Sequence, residues 1–111
     1  MLEVNLEQGM PTADTAVRRL TAEIHRQKAA RVLAFKVIHG YGSSGTGGRI
    51  REEARRYLDG CARRGLISGY ITGEELSVFS QKTRALLDRL PELSKDRDME
   101  RHNNGITVVI L

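Results

Sequence analysis

The spacing of apolar residues changes repeatedly along this chain, and each change predicts an element. Glu3 to Leu6 alternates polar and apolar positions, the pattern of a short strand, and Gly9 and Pro11 end it. From Thr12, the residues Ala13, Ala16, Val17, Leu20 and Ile24 recur every three or four positions. That stripe predicts an amphipathic helix reaching about Lys28, with Thr12 as its N-cap. Val32 to Ile38 is nearly continuous apolar sequence broken at Lys36, which predicts a central strand covered on both faces. A glycine-rich stretch follows, after which Ile50, Ala54, Tyr57, Leu58 and Cys61 restore the helical spacing until Gly65. Leu66 to Thr72 reads as a strand weakened by Gly69 and closed by Gly73-Glu74-Glu75. Phe79, Leu86, Leu87 and Leu90 stand at helical intervals and predict a helix from Ser77 to about Leu90, stopped by Pro91. Lys95 to Asn104 is almost wholly polar and predicts a loop turning at Asn103-Asn104-Gly105, before an apolar interior strand over Ile106 to Leu111.

Strand, helix, strand, helix, strand, helical insertion, strand is the alternation of an α/β layer structure with parallel neighbours. The 111 residues suffice for one domain with a core that needs neither disulfides nor a metal. No internal repeat or low-complexity segment interrupts them. Lys and Arg total 18 against 14 acidic residues, and the net charge of +4 suits a polyanionic partner without requiring one. No apolar run has membrane-spanning length and no signal-peptide pattern opens the chain, so a cytoplasmic location without membrane contact is expected. The lone Cys61 falls on the helical stripe and reads as a buried structural thiol. His25, His39 and His102 are scattered, so no metal site is predicted, and no cofactor.

Chemistry concentrates in His39-Gly40-Tyr41-Gly42-Ser43-Ser44-Gly45-Thr46-Gly47-Gly48-Arg49-Ile50-Arg51. A strand that runs into a glycine-rich loop and then a helix aims several backbone N–H groups at one point, where the helix dipole adds positive charge. Arg49 and Arg51 lie in the first helical turn, where cations oppose the dipole, which points to an external anion. Arg55, Arg56, Arg63 and Arg64 read instead as a solvated face paired with Glu52, Glu53 and Asp59. His39 either fixes the loop or contacts substrate, Glu7 reads as a solvated or capping carboxylate, and Tyr41 either packs on the loop or stacks on a base. Gly40-x-Gly42-x-x-Gly45 also satisfies a dinucleotide fingerprint, with Glu74 and Glu75 as candidate acids, although these lie farther on than the usual spacing. Thr46 stands where a P-loop needs lysine, which argues against that motif.

The run from Val37 through Arg51, with its His39-Gly40-Tyr41-Gly42 core, resembles the histidine-glycine-x-glycine motif of the Smr (small MutS-related) domain family. Val4-Asn5-Leu6-Glu7 resembles that family's opening strand, Ala16 to Leu20 its first helix, and Gly105 to Leu111 its closing strand. The resemblance implies a two-layer sandwich similar to the C-terminal domain of translation initiation factor three. With the helical insertion at about 77–104, the expected order is β-α-β-α-β-(α)-β on a mostly parallel four-stranded sheet. It implies binding to a DNA or RNA backbone, partners such as the ribosome or repair proteins, and DNA nicking or RNA cleavage. The implied binding residues are His39, Gly40, Tyr41, Gly42, Ser43, Ser44, Gly45, Gly47, Gly48, Arg49 and Arg51. Asn5 and Glu7 replace the aspartate and histidine that the family carries in its opening motif. An acid/base pair would therefore have to come from His39 and Glu7, and weak or absent metal-independent cleavage is expected. Two other readings stay open, an interaction module that retains the fold without catalysis and a dinucleotide binder.

Overall fold

The computed structural model describes residues 1–41 and 47–111. Among them, four strands form one mixed sheet: β1 (Glu3–Asn5), β2 (Ala34–Ile38), β3 (Gly69–Thr72) and β4 (Ile106–Ile110). Three helices accompany them, α1 (Ala13–Ala29), α2 (Gly47–Arg63) and α3 (Gln81–Arg89), with single 3-10 turns at Gly73–Glu75 and Pro91–Lys95. The spatial order is β1-β2-β4-β3. β1 and β2 pair in parallel, while β4 pairs antiparallel with both β2 and β3. The expectation of a mostly parallel sheet is thus corrected at the level of pairing. β1, β2 and β3 share a direction, but β4 enters between two of them and turns two of the three ladders antiparallel.

The alternation of side chains along β2 and β4 explains where the core sits. Phe35, Val37 and Val109 join Leu20 and Ile24 of α1 and Ile50, Ala54, Leu58 and Cys61 of α2 in one buried cluster. Ala34, Ile71, Ile106 and Val108 join Leu86 of α3 and Leu93 in a second. Both faces of the sheet are therefore covered. The insertion is a third layer, which corrects the expected two-layer sandwich: a strand apolar on both sides needs apolar partners on both sides.

Local boundaries follow capping. Thr12 accepts a hydrogen bond from the Thr15 N–H at 3.2 Å and starts α1 as expected. α3 begins later than expected, because Ser80, not a residue near Ser77, caps it by accepting from the Thr83 N–H at 3.3 Å. Phe79 consequently lies outside the helix and is 88% exposed instead of filling the core stripe. β3 is shorter than the Leu66–Thr72 expected and starts at Gly69. Among the described residues, no helix is long and apolar enough to cross a membrane.

Lys36, the polar interruption of β2, is fully buried on the α3 face. Its ammonium lies 2.6 Å from Asp96 Oδ1, 2.6 Å from Asp98 Oδ2 and 3.4 Å from Glu3 Oε2. Burial alone disfavours the charge, but the Asp96 and Asp98 carboxylates outweigh it and raise the lysine pKa. Asp98 also accepts from the Asn103 amide at 3.0 Å, so this cluster ties the polar end of the insertion to the central strand.

Candidate nucleic-acid interface

Because β1, β2 and β3 run the same way, their carboxyl ends meet the amino end of β4, with Asn5 opposite Ile38 and Ile38 opposite Ile106. Everything that follows those strands gathers at one end of the sheet. Residues 6–10, His39 to Tyr41, the start of α2 and the turn after β3 are all there.

His39 is fully buried at this end. Its Nδ1 lies 2.8 Å from the Gly40 carbonyl oxygen and its Nε2 lies 2.8 Å from Thr107 Oγ1. A carbonyl only accepts, so Nδ1 carries the proton and Nε2 accepts from the threonine hydroxyl. Thr107 Oγ1 in turn accepts from Arg55 Nε at 3.1 Å. Donation therefore runs in one direction, from Arg55 through Thr107 and His39 to Gly40. Burial is the main cause that lowers the His39 pKa to about 4, and the charges of Arg55 and Arg51 add to it against the opposing Gly40 bond. The imidazole is neutral near pH 7, and it holds the first residue of the glycine segment in place.

Arg55 departs from its expected place on a solvated face. It donates to both carboxylate oxygens of Glu74, at 3.0 and 2.7 Å, and to the Ile106 carbonyl at 3.2 Å. The Arg55 bonds hold the Glu74 carboxyl below its ordinary value. Arg56 and Arg63 do follow the expectation, pairing along the helix with Glu53 and Asp59 at 3.4 Å each. Arg64 instead donates to Cys61 Sγ at 3.7 Å, and Cys61 itself is buried.

Gly40 has φ +72°, and a Cβ there would overlap the Glu7 carboxylate. Its N–H and that of His39 both donate to the Gly105 carbonyl at 3.0 Å. Asn5 accepts from the Glu7 N–H at 2.8 Å through its side-chain oxygen. The two residues expected as an acid/base pair thus both contact Gly40. Neither is directed at open solvent alone: His39 has both ring nitrogens engaged, and the Glu7 carboxylate packs against Gly40.

The remaining expected binding residues divide into two groups. Gly42, Ser43, Ser44 and Gly45, with Thr46, lie outside the described residues. Tyr41 is 56% exposed, with its ring beside Gly105. Gly47 and Gly48 open α2, whose first turn contains no acidic residue. Arg49 is exposed, and Arg51 lies near enough for its charge to act on both His39 and Glu74. Among the described residues, neither arginine forms an ion pair.

Sequence reasoning missed Thr107 and gave Arg55 and Glu74 other roles, a solvated face for the first and a dinucleotide acid for the second. The available signal was Thr107 itself, a hydroxyl within the run Ile106-Thr107-Val108-Val109-Ile110, since a buried polar side chain needs a partner. The acids invoked for a dinucleotide are occupied: Glu74 by Arg55, and Glu75 by the Thr72 hydroxyl at 2.9 Å. A groove of about 700 Å³ lies elsewhere, between β1 and α1. Its arginines are also engaged, Arg26 with Glu23 and Arg19 with the Gln8 carbonyl. Among the described residues, no three His, Cys, Asp or Glu side chains form a metal-binding group. Comparison of the chain with protein-family models, curated proteins and solved structures finds no match.

Proposed function

We propose that this protein binds the phosphate backbone of DNA or RNA at the end of the sheet where β2 passes into α2. The observation that carries this reading is the pairing of a helix start free of acidic residues with Arg49 and Arg51, beside a loop entrance braced by His39. Two cations placed against the positive end of a helix dipole repel it, and a bound phosphate relieves that repulsion. Arg55 is neutralised by Glu74 and serves the scaffold, so Arg49 and Arg51 carry the contact. The resemblance of the His39 to Arg51 run to the Smr motif supports the same reading, and a single Smr-like domain with an added layer is its structural form.

Binding without efficient cleavage is the form that fits the side chains. A general base needs a free lone pair within reach of the proton it takes. The lone pair of His39 Nε2 is occupied by the Thr107 hydroxyl, and Asn5 has no basic function at neutral pH.

Fluorescence anisotropy with labelled RNA and DNA across a salt series tests the reading. Salt-sensitive association is expected, and Arg49→Ala and Arg51→Ala should each weaken it on all sequences and lower the salt slope by about one. Absence of salt-sensitive binding to any RNA or DNA overturns the reading. Nicking of supercoiled DNA that disappears in a folded His39→Ala variant would overturn its non-catalytic part.

A further inference from the structure

The turn that follows β3 presents an aromatic side chain to solvent from a firmly held backbone. Phe79 is 88% exposed and Val78 49% exposed. An exposed phenylalanine on a loose loop would carry little information, but each N–H from Ser77 to Ser80 has a partner. Ser77 N–H donates to the Glu75 carbonyl at 2.8 Å, and Val78 N–H to Glu100 Oε2 at 2.6 Å. Phe79 N–H donates to Ser77 Oγ at 3.2 Å, and Ser80 N–H to the Ser77 carbonyl at 3.0 Å. Glu100 also accepts from the Ser77 hydroxyl at 2.7 Å, and it does so from a left-handed backbone, φ +64°. Arg84 completes the turn by donating to the Val78 carbonyl at 2.8 Å. The backbone that carries the ring is therefore already ordered, and a ligand that covers the ring need not order it.

From this we infer that Phe79 is a stacking platform for an unpaired base of a single-stranded nucleic acid whose backbone is held at the start of α2. The inference rests on the phosphate-binding reading and names its substrate class. Three observations favour a base over other occupants. The turn follows β3, so it lies at the same end of the sheet as Tyr41, Arg49 and Arg51. Cations belong to the same turn, because the Arg84 guanidinium is fixed at the Val78 carbonyl and the exposed Arg101 is next to Glu100 in the chain. The apolar surface is two adjacent side chains, far short of the roughly 800 Å² per partner that a stable protein interface buries. One ring face matches one base.

The test compares a labelled single strand that carries bases with an abasic strand of equal length, each titrated with the full chain. Phe79→Ala removes an exposed ring and leaves the fold intact. It is expected to weaken binding of the base-bearing strand by about ten-fold, within the range for loss of one base–aromatic stack, and to leave abasic binding unchanged. Arg49→Ala should weaken both. The chain contains no tryptophan. Phe79→Trp therefore introduces a unique fluorophore whose emission should be quenched by the base-bearing strand and not by the abasic one. Equal affinity of wild type and Phe79→Ala for the base-bearing strand, or loss on both strands alike, overturns the stacking role while the phosphate reading stands. Failure of wild type to bind either strand removes both. Sedimentation that shows a dimer dissociated by Phe79→Ala would assign the ring to a second copy and overturn the inference.

Discussion

His39 is uncharged near neutral pH because burial and the adjacent Arg55 and Arg51 charges outweigh its hydrogen bond to the Gly40 carbonyl. Its pKa falls from the ordinary 6.5 to about 4, so between those values the unfolded chain takes up a proton that the folded chain refuses. The stabilisation is complete above pH 6.5 and is lost as pH falls toward 4, by roughly 3 kcal/mol in all. Urea denaturation across that window should show the decline, and His39→Gln should flatten it. Gly40 offers a second test at the same place. Gly40→Ala combines a left-handed backbone with overlap on Glu7 and should cost about 1–3 kcal/mol. Gly65→Ala, with φ +75° and open space around it, should cost less, and Glu7→Ala should relieve part of the Gly40→Ala penalty. His39 and Gly40 were visible as candidates because strand, glycines and arginines adjoin in sequence. Thr107 and Arg55 were not, since they lie 68 residues from His39 and 52 residues from Thr107, respectively.

Elements with one dominant periodic signal form where the pattern places them, as α1 and β4 illustrate. α3 is different because two competing starts are written into the same segment. Ser77 and Ser80 are both capping residues, and Phe79 stands seven positions before Leu86, which favours the earlier start. Glu100, 22 residues beyond Val78, decides the matter by accepting the Val78 N–H and the Ser77 hydroxyl, so the chain there is a turn. β2 carries the analogous long-range decision at Lys36. Lys36→Met should cost about 3 kcal/mol in chemical denaturation, because it leaves Asp96 and Asp98 facing each other without their cation. Adding Asp96→Asn and Asp98→Asn to Lys36→Met should restore most of that loss, since no unpaired charge then remains. The signs with pH are opposite for the partners. The lysine contribution is full below 10.5 and is lost as pH rises through its raised value, whereas that of Asp98 is full above 3.8 and fades as pH falls through its lowered one.

Taken as one body, the molecule is a mixed sheet with helices on both faces, and its candidate interface is the end where three strands finish. Hydrophobic spacing was enough to establish an α/β chain, its helices and strands, and a glycine-rich passage leading into a basic helix, because these depend on residues a few positions apart. Strand order, the antiparallel insertion of β4, the covering of the second face and the exposure of Phe79 were beyond its reach. Each of those depends on which surfaces meet after the chain closes on itself. Apolar side chains on β4 satisfy either direction of pairing, and an apolar stripe records that a face is covered without naming its cover. The polar residues show the same division most sharply. A histidine, a threonine and an arginine acquire one proton-ordered relay when β2, β4 and α2 are packed together, and local sequence shows only that Thr107 needs a partner, not which one.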